Sequence, residues 1–195
     1  MRDSLYFHGS YEIIENPDLD HSRSDIDFGK GFYLTQDDFL AKKWACKKRR
    51  ISENSVVNAY SLDMDGLDVF EFDLDKEWLD FVVANRNEYD YDKKYDQYDV
   101  LIGAIANDKL FDIIDLYDQG VIAPENAIRI MNNMDYGRQI AIKSERAIRK
   151  LEFRHSKELK RLEKQNLQAA FRNDTELASK KAEEMLRRIN RGISS

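Results

Sequence analysis

The sequence predicts an α+β protein: a mixed core of short strands and helices that ends in a long helical extension. Three observations predict it. Short apolar runs separated by polar, turn-rich stretches open the chain, segments of helical period alternate with apolar runs such as "DVLIGAIA" through its middle, and residues 154–191 contain neither Gly nor Pro. The division this implies is one domain over residues 1–153 and a helical basic tail over residues 154–195.

Residues 4–8 form a short strand around Leu5, Tyr6 and Phe7, and the stretch from Asn16-Pro17 through "DLDHSRSDID" is too polar to be anything but a loop. Residues 31–34 are a second strand. Thr35, Asp37 and Asp38 then start a helix whose Phe39, Leu40 and Trp44, with Ala41 and Ala45, give the apolar face. "SVVNAYSLDM" and "LDVFEFDL" flank Asp65-Gly66, whose tight turn predicts a β-hairpin. Residues 75–85 carry Trp78, Leu79, Val82 and Val83 at helical spacing, and the tyrosine- and aspartate-rich run to Tyr98 reads as a surface loop. "DVLIGAIA" is a buried strand. Asn107 or Asp108 caps a helix bearing Leu110, Phe111, Ile114 and Leu116 that Gly120 stops, and Pro124 opens another through Met131. "RQIAIK" is the last strand, and Ser144 starts a short helix with Ala147, Ile148 and Leu151. From Arg154 a single long helix is expected, with a break near Asn173-Asp174. Its apolar stripe through Leu159, Leu162, Leu167 and Phe171 is thin, so it must rest on the body, on a second copy or on another chain.

The 195 residues are 42% hydrophobic and 35% charged, which suits one domain with a real core plus an appendage. The single cysteine, Cys46, excludes an internal disulfide, and His21 and His155 have no partner ligands at metal spacing, so no metal is expected. Without a signal-like or membrane-length apolar run, a cytoplasmic protein with no membrane contact is expected. From Arg154 onward 11 Lys/Arg face 6 Asp/Glu, a net of +5 that leaves −11 of the total −6 on residues 1–153. The acidic body argues against broad contact with a phosphate backbone; the tail suits an acidic partner or nucleic acid, and its mixed signs also fit a solvated helix.

The opening "LYFHGS" ends a strand in His8-Gly9, and "DFGKGFYLT" leads into the next through Gly29-Lys30-Gly31 ahead of Tyr33, with an acidic loop between. A site that holds a flat polar ring against backbone needs this arrangement. Strand-His-Gly, then Gly-Lys-Gly-Phe-Tyr before a helix, then a polar residue in a late strand resembles the NAD-binding core of ADP-ribosyltransferases. With "FVVANR", "YDVLIGAIANDK" and "RQIAIKSERAIRKLEF" added, residues 4–153 more closely resemble a bacterial family known as domain of unknown function 3990 and grouped with the diphtheria-toxin-like enzymes of the His-Tyr-Glu pattern. The resemblance implies a split, strongly curved sheet with NAD as co-substrate in the cleft between its halves. It implies transfer of ADP-ribose to a macromolecular acceptor, protein or nucleic acid, with release of nicotinamide. It further implies a bacterial toxin-like effector whose tail docks a neutralising antitoxin or the target.

In that pattern His8 hydrogen-bonds a ribose hydroxyl, Tyr33 stacks on the nicotinamide, and Gln139 stands where the family signature has a glutamate. Gly9 offers an unshielded N–H and C=O to the carboxamide, and Ser10, Lys30, Gly31 and Thr35 complete the expected NAD-binding set. Arg23, Arg86 and Arg138, with Lys30, are candidates for the pyrophosphate, while Asp25 and Asp27 shape or gate the donor site. Gln139 can hold ribose hydroxyls but carries no charge; the lost electrostatic contact costs about 3 kcal/mol, roughly a hundredfold in rate. Gln139→Glu is therefore expected to raise NAD hydrolysis. Glu145, six residues on, is too far along to replace the acid, whereas Glu71 and Asp108 approach from other elements.

Taken singly these motifs are weak, since a strand-ending histidine is usually a satisfied polar residue and Gly-Lys-Gly a common turn. Order and spacing carry the argument. Asn85-Arg86 reads equally as a helix terminus tying down the tyrosine-rich loop. Two other classes remain open: a module that binds NAD or ADP-ribose without efficient transfer, and an assembly protein that works through its helical tail.

Overall fold

A computed structural model describes residues 4–22, 24, 26–46, 54–89, 93–106, 108–134 and 136–190. Strand β1 (Leu5–Ser10) opens the chain, and β2 (Phe32–Leu34) follows a long loop. Helix α1 (Asp38–Ala45) starts at Asp37, whose carboxylate accepts from the Phe39 and Leu40 amides. Next come β3 (Val56–Leu62), β4 (Val69–Glu71), α2 (Lys76–Arg86) capped by Asp75, a 3-10 turn (Lys93–Gln97) and β5 (Val100–Ala104). Helices α3 (Asp108–Asp118) and α4 (Pro124–Asn132) lead into β6 (Arg138–Ile142), α5 (Glu145–Ile148), β7 (Leu151–Glu158) and α6 (Arg161–Asn190).

The architecture is α+β with two sheets. One runs β1-β3-β7, all antiparallel; the other runs β2-β6-β5-β4, antiparallel except for the parallel β4–β5 pair. Among the described residues a single bridge, Phe7 to Thr35, joins them. On one face of the four-stranded sheet lies the largest apolar cluster, with Phe28, Trp78, Leu79, Leu101, Ile113, Ile114, Ile130 and Met131 essentially inaccessible. The other face, through Phe32, Leu34, Ile140 and Ile142, packs with Tyr6 and Tyr60 of the three-stranded sheet.

Five expectations are corrected. The Asp65-Gly66 turn forms, with Gly66 at φ +76° and Leu67 N–H donating to Met64 O at 3.1 Å, but no hairpin follows. Both edges of β3 are occupied by β1 and β7, so the chain leaves the turn for the other sheet and pairs with β5. A turn motif fixes local φ but not the partner of the strand beyond it.

Residues 151–158, expected as helix end and helix start, are instead the edge strand β7, which crosses position 153. Its charged residues face water on a sheet edge, which hides the apolar alternation and protects the edge. Helix α6 therefore begins at Arg161, and it runs unbroken past Asn173-Asp174.

Within α1 the buried residues are Ala41 and Ala45, not Phe39, which is 48% exposed, because the helix lies directly on Gly9 of β1. Tyr95, expected on a surface loop, is buried with its ring 4.5 Å from Phe81 and 4.9 Å from Phe72 between centroids. The expected cap Asn107 lies outside the described residues.

Helix α6 is not a free appendage. Leu159, ahead of it, and Leu167 within it pack with Ala41, Ala45, Cys46 and Val57, whereas Met185 and Leu186 reach the large cluster near α3 and α4. At 1.5 Å rise per residue, those two anchors stand about 27 Å apart along the helix.

Candidate functional site

The two sheets meet at one rung. Phe7 N–H donates to Thr35 O at 2.7 Å, and Thr35 N–H donates to Phe7 O at 3.0 Å. Backbone groups alternate sides along a strand, so Gly9, two residues from Phe7, sends its N–H and C=O out of the same edge of β1. Continued in register, the ladder would pair Gly9 with Tyr33. It does not continue: the Tyr33 carbonyl is held instead by His8 Nδ1 at 2.7 Å. A carbonyl only accepts, so Nδ1 carries the hydrogen, and in the neutral ring Nε2 is the acceptor. The imidazole stacks on Phe32, centroids 4.4 Å apart.

Glycine is required at position 9 by the opposite side of the strand. A Cβ there would lie 2.1 Å from Ala41 O and 2.7 Å from Ala45 N in α1. Helix α1 thus backs Gly9, leaving its polar edge turned toward the split between the sheets.

Tyr33 sits opposite Ala141, and Gln139 lies two residues along β6, so Tyr33 and Gln139 share the face of the sheet that carries the large cluster. The Tyr33 hydroxyl accepts from Phe28 N–H at 3.0 Å and donates to Gly29 O at 2.7 Å. Gln139 is buried, and its Nε2 donates to Asp27 Oδ2 at 2.7 Å and to Ala104 O at 3.1 Å. Asp27 Oδ2 also accepts from Ala106 N–H at 2.8 Å, while Oδ1 takes the Arg86 guanidinium at 2.7 and 2.9 Å. His8 meets this group only at the Tyr33 carbonyl: its ring stacks on Phe32, on the opposite face of the sheet from the Tyr33 and Gln139 side chains.

Residues 4–153 match a family model described as a protein of unknown function, DUF3990. The chain belongs to the DUF3990 family. No curated protein and no solved structure gives a match. In this DUF3990 chain the matched segment ends inside β7, and α6 lies beyond it.

The remaining expected residues fall as follows. Ser10 and Thr35 are buried, with Ser10 Oγ accepting from Glu12 N–H and Thr35 Oγ1 from Asp37 N–H. Gly31 donates to Ser22 Oγ at 3.1 Å, and a Cβ there would meet Ile142 O at 2.8 Å. Lys30 is exposed, 3.9 Å from Asp20. Arg86 is committed to Asp27 and to Ala106 O, so in this conformation it anchors a loop. Arg138 pairs with Glu71 at the sheet surface, which occupies that carboxylate as well. Glu145 is exposed in the first turn of α5. Arg23 and Asp25 lie outside the described residues, as does the side chain of Asp108.

Sequence reasoning missed Lys143. It follows Gln139 and Ala141 at period two, so it falls on the face shared with Tyr33, a signal the alternation carried. Its Nζ donates to Phe28 O, and burial pushes its ammonium down to about 8, against a weak opposing pull from Asp96. Together Gln139, Tyr33 and Lys143 hold residues 27–29 across this face.

A separate groove of about 770 Å³ runs between α2, the 3-10 turn and α3. None of the expected site residues lines it, and its charges pair locally, Lys94 with Glu77 at 2.6 Å and Lys76 with Asp80 at 2.5 Å.

Proposed function

We propose that the chain is an NAD-dependent mono-ADP-ribosyltransferase, a bacterial toxin-like effector acting in the cytoplasm on a protein or nucleic acid. One observation carries the reading: the β1–β2 ladder stops after a single rung, and the peptide edge of Gly9 faces the split with His8 and Tyr33 beside it. One N–H and one C=O side by side complement a carboxamide, which offers both an acceptor and donors.

In this reading Gly9 holds the nicotinamide carboxamide, His8 Nε2 accepts from a ribose hydroxyl, and Tyr33 borders the ring. Gln139 Oε1 accepts from the nicotinamide ribose. The bond between ribose carbon and nicotinamide nitrogen breaks with its electron pair leaving on nicotinamide. The carbon then bonds to a nucleophilic oxygen or nitrogen of the acceptor, which gives up a proton. Helix α6 is the surface offered to an antitoxin.

The uncharged Gln139 favours a second reading, a module that binds NAD or ADP-ribose with little transfer. Incubating the purified protein with labelled NAD, with and without cell lysate, separates them. Label on a macromolecule supports transfer, and saturable binding without transfer supports the module. Neither result removes both and leaves the tail as the working part.

A further inference from the structure

We propose that Asp27 is a positioning residue for Gln139: it locks the side-chain amide so that Gln139 presents only an acceptor, and it is the reason position 139 holds an amide rather than an acid. A glutamine amide can rotate by half a turn and offer either NH₂ or O to a ligand. Here the choice is closed. Both neighbours of Nε2, the Asp27 carboxylate and the Ala104 carbonyl, are acceptors, so both Nε2 hydrogens are spent. No donor meets Oε1 among the described residues, so it is the atom of this buried amide left to serve a ligand.

The lock is firm because Asp27 is itself held from three sides. Arg86 grips Oδ1, Ala106 N–H and Gln139 share Oδ2, and the residue is buried. A carboxylate at position 139 would set a second negative oxygen against Asp27 Oδ2 and another lone pair against Ala104 O. The ligand class that suits a fixed, uncharged acceptor is a hydroxyl donor such as a sugar diol; a phosphate or carboxylate is repelled there. The ligand half of this inference rests on the NAD reading, whereas the lock does not.

The test has two arms. In the native protein, labelled at glutamine side chains, the Gln139 amide hydrogens exchange slowly with water. In Asp27→Asn one acceptor oxygen must serve Arg86, Ala106 N–H and Gln139, so that protection falls while backbone dispersion is kept. In calorimetry with NAD, Asp27→Asn weakens binding about fivefold in the native background and adds no loss in a Gln139→Met background. Fast exchange of the Gln139 amide in the native protein overturns the proposal without any variant having to fold. Equal loss of affinity in both backgrounds overturns it as well. Native protein that binds no NAD yet protects the Gln139 amide sinks the NAD reading and upholds the lock.

Discussion

His8 Nδ1 donates to the Tyr33 carbonyl at 2.7 Å, at the place where a continued β1–β2 ladder would put the Gly9 amide. One side-chain bond thus stops two strands from zipping and leaves a peptide edge facing outward. The histidine acts on the sheet first and on any ligand second.

Replacing it separates those roles. In His8→Ala, NAD binding measured by calorimetry is lost, while the melting temperature falls by only about 2–4 °C, the equivalent of one hydrogen bond of about 1 kcal/mol. Unchanged affinity would remove His8 from the site.

Tyr33 behaves differently, because its hydroxyl ties two backbone groups of the Phe28–Gly29 turn. Tyr33→Phe keeps the ring and costs about 2 kcal/mol, read as a drop of about 4–8 °C in a thermal melt. A melt identical to that of the native protein would show that the turn is held by other contacts alone.

Gln139→Glu places two carboxyls in contact, and such a pair shares a proton well above the ordinary carboxylate range. The folded-state pKa of the pair lies above its unfolded value, so the associated stability is present at low pH and is lost as pH rises. The variant is therefore closer to native stability at about pH 5 than at about pH 8 in urea unfolding, and Asp27→Asn/Gln139→Glu loses that difference. A flat difference between variant and native across the range would show the two side chains apart. The double variant is also the background in which added charge can be judged for NAD hydrolysis.

Lys143 gives the opposite slope. Burial pushes its ammonium to about 8, below the unfolded 10.5. Between those values the unfolded chain binds more protons than the folded one, so stability rises with pH through that window. Lys143→Met should flatten that rise in urea midpoints taken at about pH 7.5 and about pH 9.5. An equal rise in both proteins assigns the slope to another group.

Most elements were legible where period and cap agree. Asp37 and Asp75 start α1 and α2, and Pro124 and the Gly120 stop frame α4 and α3, because those signals act over a few residues. Strand β7 was not legible, since a charged edge strand carries half the apolar pattern of a central one. The false hairpin at Asp65-Gly66 failed for another reason: β3 already had a neighbour on each side.

The candidate site divides the same way. Sequence alone determined the α+β class and most of the strand and helix starts, consequences of local backbone preference and hydrophobic period, whereas the set His8-Gly9, Tyr33 and Gln139 came from the family resemblance. Only the tertiary structure decided that Gly9 is glycine because α1 lies against it, that Arg86 anchors a loop, and that Gln139 faces Asp27 across 112 positions of sequence. Those are contacts between surfaces that meet only after the chain has folded, and no window of sequence contains both partners.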